Sequence, residues 1–261
     1  MQQRFVIAGA IGAGLAMLAL ALFVVAAARI MQPPESAEPS PDGEASVLAQ
    51  AEGYAVWGRQ ADGSPVRWNP CEPIPWVLDA RDAPDQAREA LSLAMARITA
   101  VSGIEFTYLG ATQERPSQDR SLVVRTADGP QWAPVLVSWV PGDSIDLPLT
   151  DGERGVSVPV AVRDDGPRVF VTGQVVFNAD KTLLPMFEDR HASWGAVVLH
   201  ELGHLVGLDH IGDPTQLMAP TPGFGEVAFG DGDRAGLQAV GAEQGCLEVP
   251  EPRELTVTYG D

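Results

Sequence analysis

The chain has 261 residues and a formal net charge of −18, with 17 Lys and Arg against 35 Asp and Glu. Lys181 is its one lysine, which excludes nucleic acid as a partner, because phosphates are held by Lys and Arg. The length suits one domain with extras, and the acidity is read first as solubility rather than as attraction for basic partners.

Phe5 to Ala28 carries 24 uncharged residues rich in Ala, Leu and Val. As a helix it would span roughly 36 Å, enough for a bilayer core. Residues 1–31 therefore read as a membrane anchor with a cytoplasmic N-terminus; a cleaved signal peptide ending near Ala26 to Ala28 is the alternative. Residues 32–50, rich in Pro and Glu, cannot bury enough apolar surface to fold and read as a stalk. A single domain is expected over residues 51–246, outside the membrane, followed by a loose acidic tail at 247–261.

Within that domain Ile74 to Leu78 reads as a strand. Asp82 is placed as the N-cap of a helix with Pro84 in its first turn; Ala87, Leu91, Ala94, Ile98 and Val101 recur at helical spacing, and Gly103 stops it. Ile104 to Leu109, Ser121 to Thr126 and Val135 to Val140 are further strands, and Ala111 to Asp119 is a polar loop. Val156–Val162 and Val169–Phe177 read as a hairpin turned at Asp164-Asp165-Gly166. A helix beginning between Asp189 and Ser193 carries a core stripe of Trp194, Val198, Leu202 and Leu205. Asp233 is placed as the N-cap of a last helix, Arg234 to Val240.

The stretch His200 to His210 reads His-Glu-Leu-Gly-His-Leu-Val-Gly-Leu-Asp-His. His200 and His204 are four apart, so on a helix their imidazoles share a face and can grip one metal ion. Glu201 lies beside the open coordination position, where it can handle a water proton. Gly207 lets the helix stop, and the returning chain can supply His210 as a third nitrogen. Three neutral imidazoles suit one Zn²⁺.

This is the H-E-x-x-H-x-x-G-x-x-H signature, and with Leu217-Met218-Ala219-Pro220 after it the chain resembles the metzincin metalloproteases, most of all the matrixin branch. The resemblance implies an α+β fold: a twisted mixed sheet packed on two long helices, with a third helix after a Met-turn at Met218. It implies an endopeptidase in which zinc and Glu201 activate water against a peptide or protein substrate. Val156, Ser157, Val158, Pro159 and Val160 then belong to the edge strand beside the substrate, where Pro159 is tolerated and a peptide can add as a further strand. Pro220, Thr221 and Pro222 form a pocket wall. The family's second, structural zinc is not expected, since His191 is the one histidine beyond the three. Its calcium carboxylates are replaced by Asn178-Ala179-Asp180-Lys181, which leaves calcium doubtful. His191 is read as a polar cap near the helix start.

The rivals are a catalytically silent cell-surface binding domain, against which the intact Glu201 stands, and a zinc store, which an open three-histidine site suits poorly. A monomer is expected, membrane-anchored with its domain extracellular, or secreted if the leader is cleaved. Cys71 and Cys246 form an even pair outside the membrane and are expected to bridge; a Cys71 latch on the zinc is the alternative.

Overall fold

The computed structural model describes residues 52–142, 149, 152–221, 223 and 225–252. The expected anchor and stalk, Pro222 and residues 253–261 of the expected tail lie outside the described residues. Among the described residues no helix is long and apolar enough to cross a membrane. In chain order the elements are β1 (Ala55–Val56), β2 (Ile74–Asp79), α1 (Ala87–Ser102), β3 (Phe106–Ala111), β4 (Val123–Thr126), β5 (Gly129–Trp132), β6 (Val135–Val140), β7 (Gly155–Val162), β8 (Val169–Asn178), α2 (Trp194–Val206), β9 (Leu208–Asp209) and α3 (Asp231–Val240).

The main sheet has the order β3-β2-β6-β8-β7. β2 is parallel to both β3 and β6, β6 is parallel to β8, and β7 returns antiparallel to β8. The central strands β6 and β8 are buried along their whole length, as near-continuous apolar runs should be when both faces are covered. β7 stands at an edge, as expected from Pro159, with a register shift between Val160 and Ala161.

Alternation along each strand divides its side chains between two faces. Val135, Val137, Trp139, Val175 and Phe177 point into the main core with Leu91 and Ile98 of α1 and Leu199, Leu202 and Leu205 of α2. Val140 and Val176 face a smaller cluster with Leu149. Over that second face the polar loop after β3 is docked rather than loose. Gln174 exchanges two hydrogen bonds with the Ser117 backbone, and the Arg120 guanidinium donates to Pro134 O and Gly173 O.

Two expected helix starts are corrected. α1 begins at Ala87, after Gln86 in the left-handed region, and not behind an Asp82 cap. Asp82 is instead engaged by Arg115, which also pairs with the buried Asp79 at the end of β2. α3 begins at Asp231, which makes Asp233 its third residue rather than its cap.

The described chain enters on a short arm. β1 pairs antiparallel with β9, Ala55 opposite Asp209 and Val56 opposite Leu208. The arm thus joins the segment between His204 and His210, about 150 residues away in sequence. Cys71 and Cys246 are disulfide-bonded, with Cα atoms 5.4 Å apart, so neither is a free thiol that could latch a metal.

Candidate metal centre

α2 is an apolar rod with a polar strip. Ser193 caps it, its hydroxyl accepting from the Ala196 N–H at 3.4 Å. His191 is therefore not the cap; its carbonyl accepts from Arg154, and the residue lines the cleft described below. Trp194, Val198, Leu202 and Leu205 are buried as the stripe predicts. His200, Glu201 and His204 rise from the remaining face. Gly207 ends the helix at φ +116, a conformation in which a side chain would be strained, and its N–H donates to His204 O. β9 then turns the chain back, and the Asp209 carboxylate accepts from the His210 N–H at 2.7 Å.

The three rings converge through one kind of atom. His200 Nε2 lies 3.1 Å from His204 Nε2 and 3.1 Å from His210 Nε2, and the last pair is 3.2 Å apart. Nδ1 of His200 donates to Leu217 O at 2.8 Å, and Nδ1 of His204 donates to Leu208 O at 2.9 Å. A carbonyl can only accept, so each Nδ1 carries the proton and each Nε2 presents a bare lone pair. Lone pairs brought this close repel unless a cation lies among them. Three nitrogens around zinc at about 2.0–2.1 Å stand about 3.3 Å apart at tetrahedral angles, close to the spacing here. The donor set fits a zinc ion.

Burial favours the same state. It pushes His200 down to about 3, aided by the neighbouring His204, and His204 down to about 4. His210 is also lowered by burial, against the pull of Asp209. The rings therefore stay neutral and able to ligate. Glu201 moves the other way. Burial, with Glu153 nearby, pushes its carboxyl up to about 8. Its side chain lies against Gly155 of β7: a methyl group there would stand 2.8 Å from Glu201 Cγ and 3.1 Å from Oε1. The glycine leaves the room that the carboxyl group occupies.

Below the histidines runs the segment holding Met218, which is buried. Its sulfur fills the space beside Gly203 of α2, where an added methyl would stand 2.5 Å away. Three ties hold the segment: Leu217 O accepts from His200, Met218 O accepts from the Ile211 N–H, and the Asp233 carboxylate accepts from the N–H groups of Leu217 and Met218 at 2.6 and 3.1 Å. Asp233 also accepts from Gly230 N at 2.8 Å, capping α3 from within its first turn. Burial raises its carboxyl despite these donors. One carboxylate thus joins α3 to the Met218 turn, a role that an N-cap reading could not supply.

A cleft of about 370 Å³ opens over this centre, lined by the three histidines, Glu201, Val156, Ser157, Pro220 and Thr221. Of the other expected substrate residues, Val158, Pro159 and Val160 lie outside its lining, and Pro222 lies outside the described residues. Pro159 is buried where Gly173 approaches Leu205, one helical turn past Glu201. Sequence reasoning missed Trp57, Arg190, Ala196 and Val197 in the lining. For Ala196 and Val197 the signal was there, since they precede His200 on its own helix. For Trp57 there was none, because its place depends on the pairing of β1 with β9.

Residues 79–240 match the family described as matrixin. Over 123 residues the chain is 35% identical to an interstitial collagenase of Equus caballus; the match takes in 46% of this chain and 25% of that protein. The chain thus spans about a quarter of the length of the curated relative it matches.

Proposed function

The chain belongs to the matrixin family, whose members are metalloproteases, and from that premise we propose that it is a zinc-dependent endopeptidase acting on peptide or protein substrates. The observation that carries the proposal is the meeting of three imidazole Nε2 atoms beside the buried carboxyl group of Glu201. His200, His204 and His210 would hold the ion. When bound, zinc supplies Lewis-acid polarisation of a carbonyl and acidifies water, so that attack is possible near neutral pH.

The protein's own groups divide the rest of the work. Glu201 takes a proton from the attacking water and returns it to the amine nitrogen as the C–N bond breaks. Burial alone holds this carboxyl protonated up to about 8, and a cation held by the three histidines would favour its ionised, proton-accepting form. The substrate lies extended beside the N-terminal end of β7, where Val156 and Ser157 reach the cleft, with Pro220 and Thr221 as a second wall. A location outside the cytoplasm is part of the same reading, supported by the Cys71–Cys246 bond.

A random peptide library tests the proposal. The purified protein should cleave it, and Glu201→Ala should keep its metal while losing about 10²–10⁴-fold in rate, since it removes the proton carrier and no ligand. Cleavage at the parental rate by that variant would overturn the assignment.

A further inference from the structure

Among the described residues, the large apolar side chains with substantial exposure are Trp57, Leu93, Tyr108, Leu109, Val124 and Leu184. Trp57 alone of these lines the cleft over the metal centre. It is 45% exposed, and its ring stands edge-on to His204 with centroids 5.6 Å apart. Its backbone is fixed: Trp57 N–H donates to Gly207 O at 2.9 Å, and the two residues before it form β1 against β9. The arm also packs on α3, where Tyr54 lies against Gly236.

Folding does not account for this placement. A large ring left half in water gains little from burial, whereas the same ring covered by a ligand removes a large apolar area from solvent. The anchor below it is already ordered, so covering it costs little further conformational entropy. Resting on the peptidase reading above, we propose that Trp57 is a specificity-determining residue. Its indole receives an apolar side chain of the substrate, one or two positions from the bond that is cut. The occupant is apolar because the surface offered is the exposed indole, and it is close to the scissile bond because the indole abuts the ring of His204.

The experiment compares the full chain with Trp57→Ala and Trp57→Phe on a peptide library varied at each position flanking the cleavage point, with zinc content measured on every preparation. Trp57→Ala should lose about ten- to thirty-fold in kcat/KM for peptides carrying Leu, Phe or Trp at one such position, and little for Gly or Ser there. The loss should lie in KM, as for binding shared by ground and transition states, and Trp57→Phe should recover most of it. Zinc content should not change. An unaltered preference in Trp57→Ala overturns this inference and leaves the peptidase reading standing. So does a uniform fall in kcat with loss of zinc, which would make the arm a structural brace, or a lost preference for Lys and Arg instead of apolar residues. A parent protein that cleaves no library peptide overturns the peptidase reading and this inference with it.

Discussion

The two long helices, α1 and α2, obey the same local rules and end in the same way. Both pack an apolar stripe on the sheet, and both stop at a glycine in the left-handed region, Gly103 and Gly207. They differ in what covers their other side. α1 buries seven of its sixteen residues and leaves most of the rest to water. α2 buries twelve of thirteen, and the exception, His200, is itself half-buried. A helix that only supports a sheet needs one covered face. α2 is covered elsewhere by the Met218 turn, whose Leu217 O orients His200, by β9, whose Leu208 O orients His204, and by Gly155 of β7, against which Glu201 lies. The comparison teaches that the chemistry here comes from a second layer of packing laid over an ordinary amphipathic helix.

The largest expected effect breaks the α2 side of that comparison. His204→Ala removes one of three nitrogens and leaves Leu208 O without its donor. The parent should bind about one zinc per chain, and the variant should bind it more than about 100-fold more weakly, beyond what loss of an outer partner costs. Peptidase activity should vanish with the metal while far-UV circular dichroism is retained. Elemental analysis checks both statements. Two tightly held zinc ions in the parent would show that a second site exists, and an unchanged ion in the variant would remove His204 from the centre.

The next effect belongs to α1. Leu91 is fully buried against the sheet, so Leu91→Ala should cost about 2–5 kcal/mol. The melting temperature should fall by about 5–15 °C, while zinc content and KM stay at their parental values. If zinc were lost in proportion to stability, the two helices would form one energetic unit rather than a support and a separate metal-bearing element.

How far the sequence could be read follows from the same division. Features set by local spacing were legible: the apolar runs of β6 and β8, the stripes of both helices, Gly207, and the three histidines with Glu201. Met218 was legible because it follows the motif closely. What escaped depends on partners far away in the chain. Asp82 has the chemistry of a cap, but its carboxylate is engaged by Arg115 of the following loop. The sequence puts Asp233 at the right helix but cannot show its task, because the backbone groups it serves also belong to Leu217 and Met218. Nothing near Trp57 in sequence announces that β1 will pair with β9. Val158 to Val160 share a strand with the cleft residues, but strand membership alone does not say where the strand runs out of the cleft.

The smallest effect sharpens the comparison through pH, in protein stripped of metal. An unfolded histidine takes up a proton as pH falls through its ordinary value of 6.5, whereas His200 and His204 stay neutral down to about 3 and about 4. His210 is shifted in the same direction. Below pH 6.5 the unfolded state therefore binds more protons, and stability is lost as pH falls. Glu201 acts in the opposite sense. Folded, it keeps its proton up to about 8, while unfolded it releases it near 4.5, so its contribution is lost as pH rises between those values. Between 4.5 and 6.5 the histidines outnumber the one carboxyl group; above 6.5 only Glu201 still acts. Stability linked to the site should peak near pH 6.5 and then decline by about 1.4 kcal/mol per pH unit until Glu201 ionises. Urea midpoints of the chelated protein at pH 6.5 and 7.5 measure that decline. Glu201→Gln should remove it, because the amide has no proton to lose, whereas Leu91→Ala should lower both midpoints alike, since α1 contributes no titrating group to the centre. Stability that kept rising to pH 8 in the parent would mean that Glu201 is already ionised in the metal-free fold, and that the covering over α2 is wetter than its burial implies.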